Sequence, residues 1–110
     1  MNKSAVTPFD DTKMQALSEN SREASNFLKA LANENRLVLL CLLSQGEYSV
    51  TQLEEALGIR QPTLSQQLAR LREEQLVSTR RDGKAIYYTL SSTVARDVIG
   101  IMYKHFCEGT

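Results

Sequence analysis

Residues 49–72 read SVTQLEEALGIRQPTLSQQLARLR, and this stretch decides the fold. Ser49 and Gln52 stand three positions apart before an apolar run, which is the spacing of a capping box at a helix N-terminus. Gly58 suits the left-handed conformation that ends this short helix, and Pro62 suits the first turn of the next one. Two helices joined by so tight a turn predict a helix-turn-helix.

The second of these helices, predicted over residues 61–75, has an apolar face and a polar face. Leu64, Leu68 and Leu71 recur at helical spacing and predict a stripe that is buried in the core. The polar positions suit the major groove of DNA, since glutamine can pair bidentately with adenine and arginine with guanine, while serine and threonine can contact a base or a phosphate. The candidate reading residues are Gln61, Thr63, Ser65, Gln66, Gln67 and Arg70, with Thr63, Gln66, Gln67 and Arg70 expected on the outward face.

Two β-rich runs follow this helix and predict a β-hairpin, or wing. Residues 76–81 and 84–90 are rich in β-branched and aromatic side chains, and Asp82-Gly83 separates them. An Asp-Gly pair between such runs predicts a two-residue turn with positive φ at both positions. Long cationic side chains flank the predicted tip, where they can meet phosphates or the minor groove. These cations are Arg80, Arg81 and Lys84.

The chain begins with a polar segment that we interpret as a mobile arm. This arm spans residues 1–12 and includes Pro8, and residues 13–110 are interpreted as one domain for DNA binding and dimerisation. Inside that domain, a first helix is expected near Met14 and Leu17.

Two further helices are predicted before residue 49. Apolar side chains recur at spacings of three and four over residues 21–31, which predicts an amphipathic helix. Residues 35–44 are apolar on more than one face, so this helix should lie at the centre of the core. Asn33 or Asn35 is expected to cap it.

The last predicted helix bears on the oligomeric state. Ser92 is expected to cap it, and it extends to about Cys107 with little polar face. An apolar terminal helix in so small a protein must be covered, and the same helix of a second copy is the simplest cover. The predicted fold class is mainly α with a small β-hairpin (α+β). It is a winged helix-turn-helix in the order α-α-α-α-α-β-β-α, a homodimer through its terminal helices.

Composition places the chain among small folded proteins. It has 110 residues, of which 42% are hydrophobic and 24% charged, and this suffices for one domain with one core. The longest apolar run, residues 37–43, is far shorter than the ~20 residues of a membrane helix. Residues 1–13 also lack the apolar stretch of a secretory signal. We therefore expect a cytoplasmic protein without a membrane partner.

The charge is zero overall but unevenly distributed. Residues 60–84 carry six basic and three acidic side chains, a local charge of +3, and the rest of the chain carries −3. A polyanion would meet this positive region at the predicted helix-turn-helix and wing, so double-stranded DNA is the predicted partner. Two reading helices related by a two-fold axis would recognise an inverted repeat.

Three segments together resemble the ArsR/SmtB family of winged-helix repressors. They are FLKALANENRL at residues 27–37, QPTLSQQLARLR at residues 61–72 and GKAIYYTL at residues 83–90. The likeness extends over about residues 21–108. It implies a homodimer that leaves DNA when an inducer binds, and not an enzyme.

Many members of this family sense metals, and the positions of their metal ligands can be matched to residues of this sequence. The Cys-Val-Cys thiolate motif falls on Ser49-Val50-Thr51, whose hydroxyls are not ligands for soft metals. The terminal-helix site is matched at His105 and Glu108 alone, because Ser92 and Val94 stand at its other two positions. Two ligands do not complete a tetrahedral zinc site, so neither a metal nor another cofactor is predicted.

Cys41 and Cys107 are the two cysteines of the chain, too far apart for a Cys-x-x-Cys motif. Their positions alone leave a structural role and a redox role open. Within the family, one cysteine in the central helix and one at the end of the last helix resemble the dithiol of the BigR/SqrR-type repressors, which sense persulfides and related reactive sulfur. The same pair occurs in HlyU-type virulence regulators, which leaves a second biological role open.

The resemblance thus implies a dithiol-based repressor. It would bind an inverted-repeat operator when reduced and release it when reactive sulfur cross-links Cys41 and Cys107. A metal-responsive repressor, answering to zinc or arsenite, is the alternative with the same fold. A thiol enzyme is disfavoured because a local redox motif is missing, and a pure protein-interaction module is disfavoured by the polar face of the second helix.

Overall fold

The fold is a winged helix-turn-helix, as predicted. The computed structural model describes residues 10–108. Its elements in chain order are α1 Asp11–Leu31, α2 Glu34–Gln45, β1 Tyr48–Ser49, α3 Val50–Leu57, α4 Thr63–Glu73, β2 Val77–Asp82, β3 Ala85–Leu90, α5 Thr93–Tyr103 and a π-helical segment, Lys104–Glu108. The predicted class is confirmed, but the order of elements differs from the prediction at two places.

The first difference is that α1 replaces two predicted helices. The helix near Met14 and the helix over residues 21–31 are one continuous helix, since neither glycine nor proline interrupts the sequence between them. Asp10 caps it, and its carboxylate accepts a hydrogen bond from the backbone N–H of Lys13 at 2.8 Å. The predicted arm is therefore too long by residues 10–12, and its residues 1–9 lie outside the described residues.

The second difference is a strand absent from the prediction. Tyr48–Ser49 pairs antiparallel with Tyr88 and Tyr87 of β3, which gives the strand order β1-β3-β2. Two residues show no periodicity, and one of them, Ser49, is also the N-cap of α3, so their pairing is visible only in the folded chain. This pairing attaches the wing to the segment between α2 and α3.

The turn of the hairpin lies one residue later than predicted. Asp82 pairs with Ala85, so the two-residue loop is Gly83-Lys84 rather than Asp82-Gly83. Within this loop only Gly83 has a positive φ, 65°, which is the requirement of a type II′ turn with glycine at its first central position. The expectation of two positive φ values is wrong because Asp82 completes the strand ladder.

The core forms around α2, as predicted. The buried leucines of the two central helices are Leu39, Leu40 and Leu43 in α2 and Leu64, Leu68 and Leu71 in α4. Burying one such side chain contributes about 1.5–3 kcal/mol relative to leaving it exposed. The stripe predicted on α4 is therefore confirmed, and it places the opposite face of this helix at the surface. No helix in residues 10–108 combines the length and the apolar composition needed to span a bilayer.

Capping residues set most helix starts as predicted. Asn33, rather than Asn35, caps α2. Ser49 and Gln52 form the capping box of α3 through reciprocal hydrogen bonds of 3.2 and 2.8 Å. Ser92 caps α5 by accepting from a backbone N–H at 3.0 Å.

α4 and α5 are shorter than predicted. α4 spans Thr63–Glu73 rather than residues 61–75, because Pro62 occupies its N-cap without a capping side chain and Gln75 takes a left-handed φ of 59°. α5 ends at Tyr103, and the chain continues to Glu108 as the π-helical segment. Cys107 therefore lies in a π-helical turn, which is wider than the α-helical turn that was predicted for it.

Candidate nucleic-acid interface and cysteine pair

The N-terminal half of α4 presents an exposed polar surface. Four of the predicted reading residues are exposed: Gln61, Thr63, Ser65 and Gln66. Ser65 Oγ donates to Gln61 Oε1 at 2.9 Å, which orders the side chain that precedes the helix. The backbone N–H of Gln61 donates to Glu54 of α3 at 3.3 Å, so the tight turn is fixed by a carboxylate that the sequence reading did not single out.

Gln67 and Arg70 are less exposed than the other predicted reading residues of α4. Both are half-buried. Gln67 Oε1 accepts a hydrogen bond of 3.1 Å from Arg36 Nη1. Arg70 Nε lies 3.9 Å from the carboxylate of Glu74, which is an ion-pair distance but too long for a hydrogen bond, and this buried nitrogen has no other partner among the described residues. Both residues are therefore less exposed than the prediction of a fully outward face implies, but neither is buried, and their role in DNA contact stays a prediction.

The three cations of the wing differ in their surroundings. Arg80 Nε donates to both carboxylate oxygens of Glu47, at 3.0 and 2.8 Å, and its guanidinium lies 4.8 Å from the centre of the Tyr87 ring. The hydrogen bond to Glu47 raises the pKa of Arg80, and the same bond lowers the pKa of Glu47. Arg81 and Lys84 are exposed and have no ion-pair partner within residues 10–108.

Strand alternation separates Arg80 from Arg81. Arg80 is paired with Tyr87, whereas Arg81 is paired with Ile86. Neighbouring residues of a strand point to opposite faces, so Arg81 shares the face of the sheet that carries the buried Tyr88, and Arg80 lies on the other face. The basic residues at the wing therefore form two sites, of which the one around Arg80 is already occupied by Glu47.

The two cysteines lie on neighbouring elements. Cys41 in α2 is half-buried beside the core, and Cys107 in the π-helical segment is exposed; neither is in a disulfide. Burial raises the pKa of Cys41, and the charge of the nearby Cys107 thiolate raises it further. The fold thus places the elements that carry these two cysteines, which are 66 positions apart in the sequence, beside the same groove.

A groove of about 690 Å³ opens beside Cys41, between α2 and α5. Its apolar walls include Val38, Leu42 and Ile99. Lys104 and Glu108, which line the same groove, belong to the π-helical segment that carries Cys107. A small thiol-reactive molecule can therefore reach Cys41 from solvent.

Arg96 connects α5 with the end of α2 and with the wing. Its guanidinium donates to the carbonyl of Ser44 at 3.0 Å and to the carbonyl of Leu90 at 2.7 Å. Ser44 Oγ in turn donates to the carbonyl of Cys41 at 2.6 Å. Nothing in the local sequence pattern marked Arg96, because its partners are distant along the chain.

Two of the positions compared with metal sites make other contacts in this structure. Ser49 is engaged in its capping box, and His105 lies edge-on against Phe106 with ring centres 4.6 Å apart. Within residues 10–108, nowhere do three His, Cys, Asp or Glu side chains come together in a metal-binding arrangement.

Both ends of the described chain carry exposed apolar side chains. On α1 these are Met14, Leu17 and Leu28, and on α5 and the segment after it they are Val94, Ile101, Met102, Tyr103 and Phe106. Ile101 is 69% exposed and Phe106 66% exposed. So much apolar surface on two helices is typical of a protein-protein contact.

A helix-turn-helix with an exposed polar second helix, followed by a basic wing, defines a winged helix-turn-helix DNA-binding regulator and not an enzyme. The chain matches the model of the bacterial regulatory proteins of the arsR family over residues 33–79. It is 48% identical over 102 residues to the Biofilm growth-associated repressor of Agrobacterium fabrum, and the match covers 91% of this chain and 87% of that protein. The chain belongs to the ArsR family.

Solved structures agree with this membership. Reduced HlyU from Vibrio cholerae is 43% identical, with a TM-score of 0.80 over 84% of this chain and 98% of that one. The transcriptional repressor BigR from Xylella fastidiosa is 44% identical, with a TM-score of 0.77 over 86% of this chain and 96% of that one. The predicted resemblance to the ArsR family and to its BigR-type and HlyU-type members is confirmed.

Proposed function

We propose that this protein is a homodimeric transcriptional repressor controlled by its two cysteines. In the reduced form it binds an inverted-repeat operator, and it releases the operator when reactive sulfur species cross-link Cys41 and Cys107. One observation carries the proposal: Cys41 lines a groove whose walls include Lys104 and Glu108 of the segment that carries Cys107. The direction of the Cys41 pKa, which the charge of Cys107 raises after burial, is consistent with this placement.

The exposed part of α4 and the wing supply the DNA contacts. Gln61, Thr63, Ser65 and Gln66 offer hydrogen-bonding groups to base edges in the major groove, and Arg81 and Lys84 offer charge to the backbone. In the free protein Gln67 and Arg80 are hydrogen-bonded to other side chains, and Arg70 lies at ion-pair distance from Glu74. Each of these three side chains contributes to the DNA interface in the orientation that its partner side chain imposes on it.

The apolar surface of α1 and α5 supports dimerisation. A monomer that left Ile101 and Phe106 in water would keep a large apolar patch exposed, and a second copy of the same helices covers it symmetrically. Two α4 helices related by a two-fold axis then face two half-sites about one helical turn, or a multiple of it, apart.

A persulfide donor can cross-link the cysteines without another oxidant. A cysteine thiolate attacks the outer sulfur of RSSH, which gives Cys–S–SH and releases RS⁻. The thiolate of the other cysteine then attacks the inner sulfur, forms the disulfide and expels HS⁻. If both cysteines carry a persulfide, one persulfide anion attacks the inner sulfur of the other, and a trisulfide forms with loss of HS⁻. In the first case the single added sulfur leaves as hydrosulfide while the two cysteines are oxidised to a disulfide. In the second case one of the two added sulfur atoms leaves as hydrosulfide and the other stays in the trisulfide.

The cross-link would join α2, which lies beneath the helix-turn-helix, to the segment that follows α5. A new constraint between these helices can change the spacing of the two α4 helices in the dimer. A coupling free energy of about 1–3 kcal/mol lowers DNA affinity by about 5- to 150-fold.

A gel-shift series on the DNA upstream of the gene tests this function. Reduced, persulfide-treated and zinc-loaded protein are compared, together with Cys41→Ser and Cys107→Ser. We expect the reduced wild type and both variants to shift the DNA, and persulfide to release the wild type alone. Release of the DNA by zinc would contradict dithiol control and favour the metal-responsive alternative. Equal release of both serine variants by persulfide would also contradict dithiol control and would indicate a nonspecific effect.

A further inference from the structure

Arg36 holds the side-chain amide of Gln67 in one orientation. The two residues are 31 positions apart, and Arg36 Nη1 in α2 donates to Gln67 Oε1 in α4 at 3.1 Å. A guanidinium carries donors only, so the amide atom that faces it must be the carbonyl oxygen. The amide nitrogen of Gln67 therefore points away from Arg36.

The guanidinium of Arg36 is itself fixed in place. Its Nε donates to the carbonyl of Ala30 at 2.6 Å, and its Nη2 donates to the carbonyl of Lys29 at 3.0 Å. These carbonyls belong to the last turn of α1, where helix carbonyls lack intrahelical partners and attract cations. These two hydrogen bonds hold the guanidinium at the end of α1 independently of its contact with Gln67.

We infer that Arg36 is a positioning residue that makes Gln67 a donor-only reader of DNA. Glutamine recognises adenine by using both halves of its amide, accepting from N6 and donating to N7. In Gln67 the oxygen is taken by Arg36. A second lone pair remains on it, but an adenine N6 amino group brought there would lie beside the N–H groups of the guanidinium. Donors would then face donors.

Gln67 therefore favours a base with acceptors at its major-groove edge. Guanine offers N7 and O6, and thymine offers O4. This replaces the expectation that both glutamines of α4 pair bidentately with adenine. Gln66 keeps that option, because it is exposed and its side chain makes no hydrogen bond within the described residues.

Selection of operators from a library with a randomised half-site tests the inference, which rests on the proposed function. The wild type should show one position that prefers guanine or thymine and loses this preference in Gln67→Ala. In Arg36→Met the oxygen of Gln67 is released, and the same position should move toward adenine by roughly tenfold. A merely structural role of Arg36 would weaken binding without changing the preferred base. Gln66→Ala is the matched control and should flatten a different position.

Gln67→Glu keeps the inference testable if Arg36→Met fails to fold. Its carboxylate still accepts from Arg36 but has no donor, so the preference for guanine or thymine should vanish while the thermal stability is retained. An adenine preference at the Gln67 position in the wild type, an unchanged preference in Arg36→Met, or no change in Gln67→Ala would overturn the inference. If the wild type selects no sequence at all, both the inference and the proposed function are contradicted. The other three outcomes overturn the inference but leave the proposed function standing.

Discussion

The guanidinium of Arg80 binds both carboxylate oxygens of Glu47, with Nε at 2.8 and 3.0 Å from them. This contact joins the second strand of the sheet to the turn after α2, and the ring of Tyr87 lies against the same guanidinium. One of the three wing cations is therefore neutralised before any DNA is present. Both groups are charged at neutral pH, and because Arg80 lowers the pKa of Glu47, the ion pair persists to lower pH than the ordinary pKa of a glutamate would allow.

We expect Glu47→Gln to strengthen binding to DNA of any sequence. The change removes a negative charge beside the wing and releases Arg80 for a phosphate, and each added phosphate contact steepens the dependence of log K on log salt by about 0.9. Fluorescence anisotropy over a salt series measures this slope. Asp97→Asn removes the same charge from α5 and should leave the slope unchanged. An unchanged slope in Glu47→Gln would mean that the ion pair does not withhold Arg80 from DNA.

Gln66→Ala and Leu64→Ala should separate DNA recognition from stability. Gln66 is exposed, so its loss should change the free energy of unfolding by no more than about 0.5 kcal/mol while abolishing discrimination at one base pair. Leu64 is fully buried, and its truncation should lower the free energy of unfolding by about 2–5 kcal/mol. Urea denaturation and competition binding measure the two quantities. A large stability loss in Gln66→Ala would show that this side chain packs against the fold.

The ionisation of Cys41 should depend on Cys107. Burial, and then the charge of Cys107, raise the pKa of Cys41, so its reactive thiolate appears at higher pH than that of an ordinary cysteine. Cys107→Ser removes the second cause, and the pH profile for alkylation of Cys41 should move to lower pH without reaching that of the unfolded chain. Mass spectrometry after timed iodoacetamide treatment gives the profile. Identical profiles in the two folded proteins, or a shift to higher pH, would contradict the closeness of the thiols.

Arg96→Met should weaken the response to sulfur without weakening the reduced repressor. Arg96 connects α5 with the end of α2 and with the third strand, so it lies on the path between the cysteine pair and the wing. The ratio of DNA affinities before and after cross-linking should fall by about threefold relative to wild type. Lys13→Met, which removes a charge from α1, should leave this ratio unchanged. A wild-type ratio in Arg96→Met would exclude this path.

Local signals predicted much of this fold. The capping box of Ser49 and Gln52, the left-handed Gly58 and the leucine stripe of α4 all depend on residues within one or two helical turns, and all three are confirmed. The predictions that were wrong concern elements whose ends depend on residues that are distant in the sequence. β1 exists because Tyr48 pairs with Tyr88 across 40 positions, and no two-residue pattern reports such a pairing.

The candidate site was less predictable than the fold for the same reason. Residue types on α4 indicated which side chains suit DNA, but Gln67 is hydrogen-bonded to Arg36, and Arg80 is paired with Glu47. Their partners are 31 and 33 positions away, beyond the reach of helical or strand periodicity. The cysteine pair was identified through the family resemblance, since its spacing alone left both roles open.

The central claim is that a sulfur bridge between Cys41 and Cys107 abolishes operator binding. The most direct measurement takes one sample through a titration with an alkyl persulfide, quantifying the cross-linked fraction by mass spectrometry and the DNA-bound fraction by anisotropy. The account predicts that bound DNA falls in proportion to the species carrying a disulfide or a longer sulfur bridge, and recovers when a reductant removes it. Cross-linked protein that still binds its operator with full affinity, or release of DNA while both thiols stay unlinked, would contradict it.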